Sequence, residues 1–190
     1  MRRKPSYKIE NVVASVNLFT KLDLERLAIA FSDKGEYDPK KFPGMVFRLS
    51  KPKVAILMFS SGKLVVTGAK SLAQINMAVK RVVKELKKQG VKIERSPDIK
   101  IQNVVASANL GVEVNLEAAA EVLENSMYEP EQFPGLIYRM DDPKVVLLIF
   151  SSGKLVCTGA KNEDDVKRAV DNIYRLLKEL KVLYLPEEAR

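Results

Sequence analysis

Alternating apolar and polar positions and helical apolar stripes follow one another twice along the chain, in the same order. Each half opens with an alternating segment, at residues 9–18 and 101–110, which predicts a β-strand. A short amphipathic helix is predicted next, over residues 23–31 and 115–123, with Asp23 and Asn115 as N-caps. A longer amphipathic helix is predicted near the end of each half, over residues 71–89 and 162–180.

Three strand signals separated by tight turns lie between the two predicted helices of each half. They cover residues 45–49, 54–59 and 63–67, and again residues 136–140, 145–150 and 154–158. A last short strand is expected at residues 91–94, with a counterpart at residues 182–185. The predicted fold class is therefore α+β: two β-α-β-β-β-α-β repeats, largely antiparallel, with helices on one sheet face and the other face free.

The residues themselves repeat as well as their pattern. The segment from Phe59 to Val65 recurs 91 positions later, and Asn11-Val12-Val13-Ala14-Ser15 recurs 92 positions later. A period near ninety is longer than the roughly 20–50 residues of solenoid repeats. It predicts two similar halves, residues 1–97 and 98–190, related by a pseudo-two-fold axis. Such a molecule suits a ligand that is itself nearly two-fold symmetric, and duplex DNA is the leading candidate.

Composition narrows the chemistry that is available. The 190 residues include no histidine and one cysteine, so Ser-His or Cys-His catalysis and soft-metal sites lack their usual parts. We therefore expect no enzymatic activity, no metal and no cofactor. The net charge of +8 is divided unevenly, with +13 in residues 1–96 and −5 in residues 97–190. This asymmetry indicates a polyanion shared by both halves and a partner that distinguishes them, although neutral drift of surface charge remains the alternative.

Strand alternation separates a core face from a face that lacks charge. The core face carries Val12, Ile56, Met58, Leu64 and Val66. The opposite face carries small apolar side chains with one amide and one hydroxyl per half, and an uncovered face of this kind usually marks a binding surface. The alternative, a sandwich that buries both faces, needs covering elements that the sequence does not supply.

Two phenylalanines stand 17 residues apart in each half, next to a Pro-Gly turn or at a strand end. A strand phenylalanine is ordinarily a core residue, but the repeated spacing favours wedges of the kind that unstack base steps from the minor groove. Cations recur at the rim of the same face and favour phosphate contacts, solubility being the alternative reading. These cations are Arg48, Lys53, Lys63, Lys70, Arg139, Lys144, Lys154 and Lys161.

These motifs, together with Tyr-Glu-Pro-Glu-Gln-Phe-Pro-Gly-Leu-Ile-Tyr-Arg at residues 128–139, closely resemble the TATA-box-binding protein family in its archaeal form. The resemblance implies a saddle with a ten-stranded antiparallel sheet and four helices on its convex face. It also implies a general transcription initiation factor that binds the minor groove of the TATA box and kinks and bends the promoter DNA. Transcription factor B and, indirectly, RNA polymerase are the implied partners, with a homodimer in the absence of DNA and a cytoplasmic, nucleoid-associated location in an archaeal cell.

The resemblance implies a role for particular residues. The intercalating wedges are Phe42, Phe59, Phe133 and Phe150. The minor-groove residues are Asn11, Val13, Leu57, Val65, Thr67, Asn103, Val105, Leu148, Val156 and Thr158. The contact with transcription factor B is expected at Glu129, Glu131 and Gln132. Two other readings stay open at this point: the sheet module of a nucleic-acid enzyme such as a glycosylase or nuclease, and a structural protein that self-associates through the apolar face.

Overall fold

The computed structural model describes residues 4–186, and its elements repeat in the same order in both halves. The first half contains β1 (Ser6–Asn17), α1 (Leu24–Ala30), β2 (Gly35–Glu36), β3 (Met45–Ser50), β4 (Lys53–Met58), β5 (Lys63–Ala69) and α2 (Leu72–Lys88). The second half contains β6 (Asp98–Asn109), α3 (Leu116–Val122), β7 (Ser126–Met127), β8 (Leu136–Met140), β9 (Val145–Ile149), β10 (Lys154–Ala160) and α4 (Glu163–Glu179).

The strands form one ten-stranded antiparallel sheet. Within it the strands of the first half follow the order β2-β3-β4-β5-β1, and those of the second half follow the equivalent order β7-β8-β9-β10-β6. The described chain packs as two units, one formed by residues 11–102 and the other by residues 103–186 together with residues 4–10. The predicted fold class, α+β with four helices and a ten-stranded antiparallel sheet, is confirmed.

The order of elements within each half differs from the prediction at one strand. Residues 91–94 are not a strand, because the Val91 N–H donates to the carbonyl of Leu86 (3.1 Å) and closes the helix at Gly90, whose φ is +84°. Residues 182–185 contribute only an isolated bridge from Leu183 to Val114. The fifth strand of each half is instead the two-residue β2 or β7, which is too short to show alternation in the sequence.

The helices begin at the predicted caps and bury one apolar face. Asp23 Oδ1 accepts from the Arg26 amide at 3.2 Å, and Asn115 Oδ1 accepts from the Ala118 amide at 3.1 Å. The two long helices bury the same positions, which are Ile75, Ala78, Val79, Val82 and Leu86 in α2 and Val166, Ala169, Val170, Ile173 and Leu177 in α4. Each core therefore lies between one sheet face and its helices, as the apolar stripes predict.

Candidate nucleic-acid interface

One face of the sheet in each unit is left half-exposed. In the unit of residues 11–102, the predicted core residues Val12, Ile56, Met58, Leu64 and Val66 are all at most 4% exposed. The residues between them, Asn11, Val13, Leu57, Val65 and Thr67, are half-buried. In the other unit Asn103, Val105, Leu148, Val156 and Thr158 are half-buried in the same way, between buried Val104, Leu147, Leu155 and Cys157. The structure therefore brings each unit's set of predicted groove residues onto one accessible face.

Strand register places these side chains in rows across the sheet. Ser15, Val65, Leu57 and Val46 are successive cross-strand partners, and so are Thr67, Ala55 and Arg48. In the other unit the equivalent rows are Ser107, Val156, Leu148 and Ile137, and Thr158, Val146 and Arg139. Directly opposite residues share a face. Each unit therefore has an apolar row and, beside it, a row that starts at a threonine and ends at an arginine.

A hydrogen-bond network fixes the orientation of the asparagine in each unit. Asn11 Oδ1 accepts from the Gly68 amide at 2.8 Å, and its Nδ2 donates to Thr67 Oγ1 at 3.4 Å. Gly68 has a φ of +96° at a β-bulge, and this left-handed conformation turns its N–H toward the asparagine. One N–H of Asn11 Nδ2 and the O–H of Thr67 are not used in these two bonds, and both groups can face a ligand on the accessible face. Both are donors.

The second unit repeats this network. Asn103 Oδ1 accepts from the Gly159 amide at 2.7 Å, and its Nδ2 donates to Thr158 Oγ1 at 3.3 Å. Gly159 has a φ of +92°, again at an irregular point of the strand register. Each uncovered face therefore presents a matched pair of oriented donors next to its apolar row.

The four predicted wedges form two edge-to-face pairs. The ring centroids of Phe42 and Phe59 are 5.8 Å apart at 67°, and those of Phe133 and Phe150 are 5.8 Å apart at 65°. Phe42 is 38% exposed, and the other three rings are half-buried. None of the four lies in the core. A glycine next to each pair makes room for it.

The aromatic rings pack directly over these glycines. A Cβ added at Gly44 would lie 2.9 Å from Phe42 Cε1 and 3.0 Å from Phe59 Cε1. At Gly135 the corresponding distances, to Phe133 and Phe150, are 2.8 and 3.1 Å. At each glycine the shorter distance is below 3.0 Å, closer than real Cβ atoms approach, so any side chain there would crowd the aromatic pair.

The eight predicted phosphate-contacting cations are all exposed: Arg48, Lys53, Lys63, Lys70, Arg139, Lys144, Lys154 and Lys161. Six of them share the strand parity of the uncovered face. Lys70 and Lys161 follow β5 and β10, where their backbone amides donate to Gln74 Oε1 (2.8 Å) and Asp165 Oδ2 (3.4 Å).

Sequence reasoning missed polar residues at the start of each long strand. The Tyr7 hydroxyl donates to Glu163 Oε1 (3.1 Å) at the start of α4, so this odd-numbered residue lies on the helix side of the sheet. From Val12 onward, by contrast, the even-numbered residues are the buried ones. The alternation therefore changes phase between Glu10 and Asn11. Lys8 and Glu10 consequently lie on the uncovered side, and Lys100 and Gln102 are their counterparts 92 residues later.

These residues border depressions on the uncovered faces. One depression, of about 660 Å³, is lined by Lys8, Ser107, Phe150 and Val156. The other, of about 580 Å³, is lined by Ser15, Phe59, Val65 and Lys100. Lys100 Nζ lies 3.8 Å from Asp98, so its charge is partly offset, whereas Ser6 occupies the equivalent position beside Lys8. Lys8 and Lys100 precede the predicted strands, which begin at residues 9 and 101, and uninterrupted alternation would place Glu10 and Gln102 on the core face.

The loop at residues 128–133 is a tight turn. The carbonyl of Glu129 accepts from the amides of Gln132 and Phe133, both at 3.0 Å. The side chains of Glu129, Glu131 and Gln132 are exposed. In the first half the same turn carries Asp38, and Lys41 Nζ lies 4.0 Å from its carboxylate. The turn at residues 128–133 is therefore acidic, whereas its first-half counterpart carries charges of both signs.

The described residues offer little for other chemistry. Within residues 4–186, there is no group of three His, Cys, Asp or Glu side chains placed to hold a metal ion. Burial raises the pKa of the Cys157 thiol to about 11 and suppresses its thiolate. In the same part of the chain no helix is long and apolar enough to cross a membrane.

A duplicated antiparallel sheet, with helices on one face and a largely apolar accessible face bordered by charged residues, is typical of proteins that bind through a sheet surface. The model of the family "Transcription factor TFIID (or TATA-binding protein, TBP)" matches residues 6–89 and 98–180, and the chain belongs to this family. The family consists of DNA-binding transcription factors rather than enzymes. This agrees with the expected absence of enzymatic activity.

Archaeal relatives and a solved structure support the same assignment. The chain is 56% identical over 183 residues to the TATA-box-binding protein of Pyrobaculum aerophilum, covering 96% of this chain and 92% of that protein. It is 58% identical over 180 residues to the TATA-box-binding protein of Pyrodictium occultum, covering 95% and 90% respectively. The solved structure of Methanococcus jannaschii TBP superimposes with a TM-score of 0.84 at 53% identity, covering 92% of this chain and 99% of that one.

Proposed function

We propose that this chain is a general transcription initiation factor that binds the minor groove of the A·T-rich TATA box in promoter DNA. The observation that carries the proposal is the largely apolar, half-exposed sheet face in each unit, with its hydrogen-bond donors and its aromatic pair. The relatives named above are TATA-box-binding proteins, which supports the choice of ligand. We also propose that the functional repeats are residues 1–97 and 98–190, whose outermost residues 1–3 and 187–190 lie outside the described part.

Preference for A·T pairs follows from the direction of the hydrogen bonds. In the minor groove A·T and T·A present only acceptors, whereas G·C adds the guanine amino group. Outward-facing donors on Asn11, Thr67, Asn103 and Thr158 match those acceptors. The apolar side chains of Val13, Leu57, Val65, Val105, Leu148 and Val156 would press on the groove floor, where a guanine amino group would be buried without a partner.

Bending is assigned to the aromatic pairs. Phe42 with Phe59, and Phe133 with Phe150, would enter base steps from the minor-groove side and unstack them; insertion of this kind by this family is a standard example of minor-groove binding. Smooth bending of a site costs about 1–6 kcal/mol. Phosphate contacts from the eight rim cations would help to offset this cost, as would contacts from Lys8 and Lys100.

The exposed turn at residues 129–132 is the proposed contact for transcription factor B, which would bring RNA polymerase to the preinitiation complex indirectly. The position of Glu131 is taken by Lys40 in the first half, where Asp38 is accompanied by lysines, so a basic partner could choose one repeat. Glu129→Lys with Glu131→Lys should weaken the ternary complex and spare DNA binding. Asp38→Lys is the matched control and should leave both unchanged. Equal loss of DNA binding and ternary complex would contradict the assignment.

Two further proposals concern the free protein and its location. Without DNA, the uncovered faces would favour a homodimer, because apolar sheet surface is costly to leave in water. A DNA-binding factor of this family would work in the cytoplasm of an archaeal cell, associated with the nucleoid.

A gel-shift comparison tests the proposed function. The full chain should bind an A·T-rich duplex at least tenfold more tightly than a G·C-rich duplex of equal length, because each mismatched base pair costs about 1–3 kcal/mol. The shift should weaken as salt rises, because the rim cations displace counterions. Equal affinity for both duplexes would overturn the proposal.

A further inference from the structure

The polar groups at the start of β1 and β6 break the symmetry of the uncovered faces. Glu10 and Gln102 are equivalent positions, 92 residues apart, and so are Ser15 and Ser107. Ser107 Oγ donates to Glu10 Oε1 at 2.8 Å, whereas Gln102 Nε2 donates to Ser15 Oγ at 2.9 Å. One unit thus holds a carboxylate where the other holds an amide.

Both groups sit beside the apolar row that we propose contacts the groove floor. Ser107 is the direct cross-strand partner of Val156, and Ser15 is the direct partner of Val65. The Glu10–Ser107 contact is part-buried, so this carboxylate is only partly solvated. Its position next to Val156 places it against any ligand that covers that row.

We propose that Glu10 is a specificity-determining residue that accepts a hydrogen bond from the 2-amino group of guanine, so that the site tolerates one G·C pair at that end. This inference rests on the proposed binding of the minor groove. A carboxylate is an acceptor only, and the guanine amino group is the one donor that the minor groove offers. Against an A·T pair the carboxylate faces acceptors, so its desolvation by the DNA gains no hydrogen bond from the base pair.

Gln102 lacks this preference. Its amide NH₂ can donate to the acceptors of an A·T pair, whereas a G·C pair leaves the guanine amino group facing only a neutral amide oxygen. A bond from guanine to a carboxylate is charge-assisted and about twice as strong as one to a neutral amide oxygen. The equivalent ends of the two repeats would therefore differ in sequence preference, which gives a nearly symmetric protein a reason to bind in one orientation.

The test uses a palindromic A·T duplex and a scan in which G·C replaces each A·T pair, first at one position and then also at its mirror position. The readout is the ratio of Kd for the substituted duplex to Kd for the all-A·T duplex. At one pair of mirror positions, a single G·C pair should leave the Kd of the wild-type chain nearly unchanged. Two G·C pairs there should cost about tenfold, the scale of one mismatched pair.

Variants separate base reading from a structural role. Glu10→Gln should raise the single-substitution ratio about tenfold at that position, mainly through tighter binding of the all-A·T duplex. Gln102→Glu should make the doubly substituted duplex acceptable, and the exchange of both residues should restore wild-type behaviour. If Glu10 acts only on folding or by general repulsion of DNA, Glu10→Gln will change every Kd by one factor and leave the ratios unchanged. That result would overturn the inference.

Failure of the proposed function gives a different result. If the wild-type chain does not prefer the all-A·T duplex over a G·C-rich duplex, the minor-groove proposal itself fails. If that preference holds while Glu10→Gln leaves the ratios as they were, only the role of Glu10 is wrong. Thermal melting of each variant confirms that the compared chains are folded.

Discussion

Asn11→Asp should separate the stability of the chain from its DNA binding. The Gly68 amide now donates to Asn11 Oδ1 at 2.8 Å, and an aspartate oxygen at the same place can accept that bond. The Thr67 hydroxyl, which accepts from Asn11 Nδ2 at 3.4 Å, can rotate and donate to the second carboxylate oxygen. The internal network survives, so we expect the free energy of unfolding to change by less than about 1 kcal/mol.

The affinity for DNA, in contrast to the stability, should fall. The substitution replaces the outward NH₂ donor by a carboxylate and turns the threonine hydroxyl inward, so acceptors face the acceptors of an A·T floor. The loss of one well-made base contact is worth about 1–3 kcal/mol, or roughly 5–150-fold in Kd. Asn103→Asp should behave alike, because Asn103 Oδ1 makes the equivalent bond to Gly159 at 2.7 Å.

Urea unfolding and fluorescence anisotropy with a labelled A·T duplex measure the two effects. Asn11→Ala is the control, because it removes both the acceptor and the donor. It should lose about 0.5–1.5 kcal/mol of stability as well as affinity. Wild-type affinity in Asn11→Asp, with its stability intact, would refute the argument that the outward amide reads the groove.

Further predictions concern packing and reactivity. Gly44→Ala should cost about 1–3 kcal/mol in urea unfolding, because its Cβ would crowd the rings of Phe42 and Phe59. Ile75→Ala, in the fully buried face of α2, should cost about 2–5 kcal/mol by the same measurement, whereas Met77→Ala, at a position 47% exposed, should cost far less. Cys157, with a pKa of about 11, should react with a thiol reagent at pH 8 roughly a hundredfold more slowly in the native chain than in urea.

Most of the fold could be predicted from the periodicity of the apolar residues and from the residues that cap the helices. Strict alternation from Val12 onward and in the hairpin strands predicted which residues are buried, because side chains on successive strand residues point to opposite faces. Asp23 and Asn115 could be recognised as N-caps because a short polar side chain before an apolar stripe has few other uses. The duplication doubled each of these signals.

The features that sequence analysis missed depend on tertiary contacts, which the pattern of apolar and polar residues does not encode. The phase change between Glu10 and Asn11 places two consecutive residues on one face, and no local residue type signals it. The predicted strand at residues 91–94 failed because the Val91 amide serves the end of α2. The roles of the individual groove, phosphate and partner-contacting residues remain predictions.

DNA bending tests the central claim most directly. A duplex with dyes at its two ends, carrying one A·T-rich site, reports the end-to-end distance by energy transfer when the chain binds. The wild type should bring the ends together. Phe42→Ala with Phe59→Ala, or Phe133→Ala with Phe150→Ala, should remove part of the bend, and all four together should leave bound DNA nearly straight. If the fourfold variant bends the duplex as the wild type does, the aromatic pairs are not wedges and the account is wrong.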